Sequence, residues 1–339
     1  MEEIVKLISE ATIKEHLTMK RTIEICEKLY AAYGQGKVIM PPKLGMPLGA
    51  HGQWPGQDAN LTALPCFIQY AADDEILGMK WIWAFYNNKR DYGIPWIGAF
   101  IILNHPRCGK ALAIFEGAYI TDMRTGAATA AVAKKLMTSS PQKTISIFGA
   151  GMQGRMHARA MKEVTEIKEL KIYDAFPAAA EKFAEDMRKE LGLNISVAST
   201  REDACIDSDI IITCSVANEP LVDKCWLKAG CTVISVGSYL ELADNVVLEA
   251  DKLYVDSWAQ LCKPGKGDIG PRVEAGTLTY EMLTGEVPDL MAGNVYGREN
   301  DDEIICSCSI GMGLLDVGVA GELYKNDFKE YHEHTMEFR

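Results

Sequence analysis

Residues 145–164, ISIFGAGMQGRMHARAMKEV, constrain the fold more than any other stretch of the chain. An apolar run ends in Gly149-Ala150-Gly151-Met152-Gln153-Gly154, and a helical pattern begins at once. G-x-G-x-x-G alone is a weak signal. Here a strand-like run, TISIF, precedes it, a helix follows, and a second run, LKIYD, ends in Asp174, twenty residues past the last glycine. Each part has a physical task in holding a dinucleotide. The first glycine permits the sharp turn, the second lets backbone approach a pyrophosphate, and the third lets the helix pack on the sheet. The helix start at Met152 and Gln153 offers unpaired N–H groups and the positive dipole end to phosphates. Asp174 would accept hydrogen bonds from ribose hydroxyls and repel a 2′-phosphate, and Ala175, Phe176 and Pro177 supply no cation. The expected cofactor is therefore NAD rather than NADP, held by Gly149, Gly151, Met152, Gln153, Gly154 and Asp174. The alternative is a structural turn with no ligand.

The rest of the chain fits around this turn. Strands are expected at 144–148, 169–173, 194–198, 210–213, 232–236 and 252–255, with helices or helix-sized gaps between the first five. That is the βαβ rhythm of a doubly wound parallel sheet. The polar stretch TCSVANEP after 210–213 places Thr213, Ser215 and Asn218 where such a sheet lines a ligand, or else forms a loop capping the next helix. Upstream the texture differs. Short apolar runs at 38–40, 63–70, 76–85, 94–103 and 111–115 alternate with Gly, Pro and Asn, which predicts a largely antiparallel sheet. Residues 4–33 read as helical, ending near Gly34-Gln35-Gly36. The Ala-rich TDMRTGAATAAVAKKLM predicts a helix with Thr121 or Asp122 as N-cap, and 312–325 predicts one more.

Composition narrows the partners. With 48% hydrophobic and 24% charged residues the chain reads as an ordinary globular protein, long enough at 339 residues for two domains. A net charge of −12, with no Lys/Arg cluster beyond a pair such as Lys89-Arg90, argues against nucleic acid. No apolar run reaches the ~18 residues of a membrane span, and Met1-Glu2-Glu3-Ile4 is acidic where a secretion signal is basic, so a cytoplasmic protein is expected. The ten cysteines, spread from Cys26 to Cys308, read mostly as small buried apolar residues. Cys306-Ser307-Cys308 lacks a second Cys/His pair nearby, His332 and His334 lie in a charged tail, and no HExxH occurs, so no metal is expected.

Arg124-Thr125-Gly126-Ala127 lies just upstream of the dinucleotide-binding pattern. With Gly78-Met79-Lys80, Val236-Gly237-Ser238, Val255-Asp256-Ser257 and Gly311-Met312-Gly313-Leu314-Leu315-Asp316, it resembles the ornithine cyclodeaminase and mu-crystallin family over most of the chain. The resemblance implies an α/β fold: a Rossmann NAD-binding domain at 121–310 and an N-terminal α+β domain. The latter, 1–120, is completed by the C-terminal helix within 311–339 and serves substrate binding and dimerisation, so a homodimer is expected. The resemblance also implies a small amino-acid or imino-acid substrate whose carboxylate is held by Lys80 and Arg124. It suggests Lys43 in a similar role, with an ordinary surface lysine as the alternative. Thr125 is expected near the cofactor phosphates, and Val236 and Gly237 join the candidate cofactor-binding residues. The chemistry is consistent: a guanidinium clamps a carboxylate in bidentate fashion and a lysine adds a point charge. Lys80 lies mid-run in LGMKWIW, where a lysine must snorkel or have a reason, and Arg124 falls in the first turn of its expected helix, where the dipole disfavours a cation.

One position departs from the family pattern. Cyclodeaminases carry an Asp two residues after the Gly of the VG strand end, and Tyr239 stands there. Where the motif continues to a Glu this chain has Asn245, with Glu241 and Asp244 nearby. Reversible amine oxidation does not need that aspartate. It needs orientation, a clamped carboxylate and one proton shuttle. Lys80, whose pKa apolar walls and Arg124 would lower, and Tyr239 are the candidate shuttles, so Lys80, Arg124 and Tyr239 are the candidate catalytic residues. The expected activity is that of an NAD-dependent amino-acid dehydrogenase or imine reductase. The alternatives are an NAD-recycling ornithine cyclodeaminase and a non-catalytic ligand-binding protein. The segment 49–67, with His51, Trp54 and Asp58, and the residues Trp81, Trp83 and Trp96 either wall an aromatic pocket or belong to core or interface.

Overall fold

A computed structural model describes residues 3–48 and 59–338. The chain divides into two compact units, one of Met1–Ile25, Gly36–Arg124 and Met312–Arg339, the other of Cys26–Gln35 and Thr125–Gly311.

The first unit is built on an eight-stranded sheet. Its order is Thr335–Phe338, Glu3–Ile8, Ala111–Glu116, Ile97–Asn104, Asp74–Phe85, Ala59–Ala71 and Val38–Ile39, with Leu44–Pro47 also paired to Ala59–Ala71. Every pairing is antiparallel except that of Glu3–Ile8 with Ala111–Glu116. Two expectations are corrected here. The start of the chain is a strand, not a helix. Ile4, Leu7 and Ile8 fit either period over so short a run, and β-branched Ile4, Val5 and Ile8 favour extended backbone. The helix proper, Glu10–His16, starts after Ser9, whose hydroxyl accepts from the Thr12 N–H. The tail is a strand as well, because backbone pairing along Glu3–Ile8 is indifferent to the charge of the side chains between.

The helix Gly313–Leu323 is buried along its whole length and lies on strands Ala59–Ala71, Asp74–Phe85 and Ile97–Asn104. Its sheet-facing stripe carries Gly313, Asp316, Val317 and Gly321. A Cβ at Gly313 would stand 2.8 Å from the Leu64 Cβ, and one at Gly321 would stand 2.5 Å from the Ile76 Cγ2. Two missing side chains thus let the helix press onto the sheet, and they bring what lies between them into the strands.

The second unit holds a wholly parallel eight-stranded sheet. Its order is Ile195–Val197, Glu166–Tyr173, Gln142–Phe148, Ile210–Thr213, Thr232–Val236, Ile305–Ser309, Lys252–Val255 and Gly285–Glu286. The six expected strands are present. The sixth is separated from the fifth by Ile305–Ser309, which the sequence reading passed over. Its residues, ICSCS, are small and only weakly hydrophobic by type, yet Cys306 and Cys308 are buried among Val233, Leu253 and Val255 as apolar core. All ten cysteines are free thiols.

The unit boundary falls inside the helix Ala118–Leu136, between Arg124 and Thr125. This helix starts earlier than the expected N-caps. The Glu116 carboxylate accepts from Ala118 N–H at 2.7 Å and from Tyr119 N–H at 3.0 Å, so Thr121 and Asp122 lie inside the helix. Arg124 therefore sits beyond the first turn, and the dipole argument for it lapses. Among the described residues no helix is long and apolar enough to cross a membrane.

Candidate functional site

In the first unit, Lys80 occupies the middle of strand Asp74–Phe85, on the face covered by the C-terminal helix. It does not snorkel: it is 2% exposed. Its Nζ pairs with Asp316 Oδ1 at 2.9 Å, and Arg124 Nε donates to the same oxygen at 3.0 Å. The Thr121 hydroxyl, which donates to the Gly117 carbonyl at 2.6 Å, stands 3.3 Å from that oxygen. Asp316 is fully buried. Burial alone would raise its carboxyl, but Arg124 and Lys80 outweigh burial and hold it below the ordinary range. For Lys80, burial pulls the ammonium down to about 8; Asp316 opposes that shift and Arg124 adds to it. Two cations are thus kept side by side by one internal carboxylate, an arrangement suited to receiving an external carboxylate. The sequence reading quoted Asp316 within a motif without giving it a role. The available signal was a lone Asp amid the apolar helix start GLLDVGVAG.

Lys43 is half-buried and lies immediately before strand Leu44–Pro47. Trp81 and Trp83 alternate with Lys80 and so face the other side of the sheet. There Trp83 packs over Gly98 and meets Phe100 at 5.3 Å between ring centroids, while Trp96 stacks on Tyr86. Trp81 and Trp83 therefore do not line the Lys80 face. His51, Trp54 and Asp58 lie outside the described residues.

In the second unit the glycine turn connects strand Gln142–Phe148 to helix Met152–Val164. Gly149 has φ +114°, and a Cβ there would press on the Cys214 carbonyl at 3.0 Å. A Cβ at Gly154 would lie 2.1 Å from the Gly149 carbonyl oxygen, so the third glycine lets the helix fold over the turn. At Gly151, the N-cap, a Cβ would meet nothing within 4 Å, and no side chain caps the helix. The turn therefore keeps open space in front of the first N–H groups of the helix, with Met152 exposed and Gln153 half-buried. Asp174 ends the adjacent strand and takes the Ala150 N–H at 2.8 Å and the Phe176 N–H at 2.9 Å. These residues fit a nicotinamide dinucleotide: backbone donors for phosphate and an acidic strand end for ribose.

Helix Ala118–Leu136 packs tightly against helix Met152–Val164. A Cβ at Gly126 would come within 2.8 Å of the Met156 carbonyl oxygen. Three residues on, Thr129 Oγ1 meets His157 Nε2 at 3.0 Å, and His157 Nδ1 lies 2.6 Å from the Gln153 carbonyl. Burial pushes this imidazole down to about 4, so it is neutral, with Nδ1–H as donor. Thr125 lies half-buried one residue before Gly126.

The ends of strands Ile210–Thr213 and Thr232–Val236 carry a buried acid network that sequence reasoning missed. Thr213 is fully buried, and Asn218 is exposed. Ser215 N–H and Oγ both donate to Glu241 Oε1, at 2.8 and 2.6 Å. Asp268 accepts from the Glu241 and Leu242 N–H groups at 2.8 Å each, and from Ser235 Oγ at 2.5 Å. Burial raises both carboxyls, Glu241 to about 8 against the opposing Ser215 bonds. The helix-capping alternative for the Ser215 loop does not hold, since the next helical turn, Lys224–Trp226, is capped by Asp223. Gly237, at φ +126°, donates its N–H to the Ser309 carbonyl next to half-buried Val236, and half-buried Tyr239 follows in the loop that Asp268 secures. Of the nearby acids, Glu241 is buried and Asp244 pairs with Arg272 at 2.9 Å, while Asn245 caps the Asp223–Lys224 turn.

Comparison with known proteins agrees with this fold. The chain is 28% identical over 323 residues to the alanine dehydrogenase of Archaeoglobus fulgidus, covering 94% of each. The structure of Thermococcus litoralis Δ1-pyrroline-2-carboxylate reductase, in complex with NADH and L-proline, is 30% identical with a TM-score of 0.87 over 99% of this chain and all of that one. That of an archaeal alanine dehydrogenase dimer with bound NAD is 27% identical with a TM-score of 0.89, again over 99% and 100%. The ornithine cyclodeaminase/mu-crystallin family pattern matches residues 2–330, and the chain belongs to that family.

Proposed function

We propose that this chain is an NAD-dependent oxidoreductase that interconverts a small α-amino acid and the corresponding imino acid, as an amino-acid dehydrogenase or imine reductase. The observation that carries this reading is the buried Lys80–Asp316–Arg124 cluster, two cations fixed on one internal anion. Lys80 and Arg124 bind and orient the substrate carboxylate, with Lys43 as a further candidate. Gly149, Gly151, Met152, Gln153, Gly154, Asp174 and Thr125 hold the dinucleotide, with Thr213, Ser215, Val236 and Gly237 as further contacts. NAD supplies the acceptor or donor of a hydride at the substrate α-carbon. In the oxidative direction Lys80 Nζ takes a proton from the substrate nitrogen, and in the reductive direction it returns one; Tyr239 Oη is the second candidate for this transfer. The names of the relatives, an alanine dehydrogenase and a pyrroline-carboxylate reductase, support the substrate class. The absence of a carboxylate at 239 favours this reading over cyclisation.

The same reading includes a homodimer, which the dimeric relative supports, joined through the antiparallel sheet, where Phe100 is 48% exposed. A cytoplasmic setting suits ten free thiols.

The test is net nicotinamide turnover with NAD and L-alanine or L-proline, and with NADH and Δ1-pyrroline-2-carboxylate. Net reduction or oxidation of the cofactor is expected. Ammonia released from L-ornithine without net NADH would instead identify a cyclodeaminase, and tight NADH binding with no turnover a carrier.

A further inference from the structure

Among the described residues Asp316 is the anion on which Lys80 and Arg124 both converge, and its placement is forced. The helix that bears it is pressed into the sheet by Gly313 on one side and Gly321 on the other, and Val317 lies against Gly78. Lys80 and Arg124 converge on the same Asp316 oxygen from a strand and a helix far apart in sequence. Asp316 Oδ2 is buried without a hydrogen-bond partner among the described residues, so its contribution to this cluster is made through Oδ1.

We propose that Asp316 is a positioning residue that fixes Lys80 and Arg124 side by side and keeps the Lys80 ammonium protonated at neutral pH despite its burial. This rests on the functional reading above only for its consequence in turnover. Among the described residues, the titratable groups that act on Lys80 are few. Asp316 comes from the C-terminal helix, and Arg124 and Asp122 come from helix Ala118–Leu136. Cys66 on strand Ala59–Ala71 is neutral, because burial pushes its thiol to about 12. Asp122 is half-buried and ranks behind Asp316 and Arg124 in its effect on Lys80. Removing the Asp316 charge leaves burial and Arg124, which both favour the neutral amine, opposed by the weaker Asp122.

The proton on Lys80 can be followed without any substrate. Protein labelled with 13C at lysine Cε is titrated by NMR, and the Lys80 signal is identified by its loss in K80R. The Lys80 midpoint is expected at or above neutrality in the unsubstituted protein. It should fall by about one pH unit or more in D316N, and stay within about half a unit in D316E, which retains the charge. An unmoved midpoint in folded D316N overturns the proposal, as does a midpoint well below 7 in the unsubstituted protein or an equal fall in D316E. Should D316N fail to fold, the unsubstituted and D316E titrations decide. Turnover is measured in parallel with NADH and Δ1-pyrroline-2-carboxylate. There D316N is expected to move the alkaline limb of the rate profile by the same amount as the midpoint. A protein that titrates as expected but turns over neither substrate overturns the proposed function and leaves the role of Asp316 standing.

Discussion

Replacing Lys80 by Met removes one buried cation and the proposed proton shuttle together. A fall in kcat of about 10²- to 10⁴-fold is expected, the usual contribution of a positioned acid or base. Near-normal kcat at saturating substrate would remove Lys80 from that role. Arg124→Met should act mainly on KM for the carboxylate substrate, by about ten- to a hundred-fold for the loss of charged hydrogen bonds. With the amine pulled down to about 8, the direction of the pH dependence follows. Amine oxidation needs the neutral Nζ and should rise as pH passes through about 8; imine reduction needs the ammonium and should fall over the same range. Profiles that run in parallel would exclude Lys80. Glu241 gives a stability counterpart. Its folded pKa, raised to about 8, lies above an unfolded value near ~4.3, so its contribution is fully present below ~4.3 and is lost as pH climbs through about 8. Glu241→Gln should therefore melt above the unsubstituted protein at about pH 9 and no higher than it at about pH 5. Melting curves with the same pH dependence would show that Glu241 is not held protonated. At this scale the sequence made Lys80 conspicuous, because a lysine stood in the middle of an apolar strand; Arg124 stood out through the Arg124-Thr125-Gly126-Ala127 motif, not through helix position. Asp316, Glu241 and Asp268 stayed hidden, because a carboxylate's partners in a fold come from distant segments that spacing does not reveal.

The elements separate glycines that serve packing from those that leave room. Gly151→Ala adds a methyl group into open space on an ordinary backbone, so thermal stability should change little while NAD affinity drops about ten-fold or more. Gly154→Ala and Gly126→Ala drive a Cβ into backbone carbonyls and should cost about 1–3 kcal/mol or more. Calorimetry with and without NAD separates the two classes. If Gly151→Ala bound NAD normally, the turn would be only a corner. The parallel strands up to Lys252–Val255 were legible because each is a compact apolar run between turn signals. Several elements were not, among them three strands. Glu3–Ile8 was too short to separate the two periodicities, Thr335–Phe338 looked like a charged tail, and Ile305–Ser309 was masked by Cys and Ser.

At the scale of the molecule, the outer face of the antiparallel sheet is the proposed dimer contact. Phe100→Glu should convert the dimer to monomer in analytical ultracentrifugation, because a charge at the centre of an apolar contact is left desolvated and unpaired. An unchanged sedimentation coefficient would place the contact elsewhere. Two sheets and an intervening helix were legible from the change in texture near residue 120, since antiparallel and parallel architectures punctuate a sequence differently. The strand order was not, because Ile305–Ser309 enters the parallel sheet between two strands made long before it. That insertion, with the buried helix and edge strand that follow it, has a consequence for biosynthesis. Until residues from Ile305 onward have left the ribosome, the parallel sheet has a gap beside Thr232–Val236 and Lys80 lacks Asp316. Both sheets are therefore completed by segments made long after the strands they join.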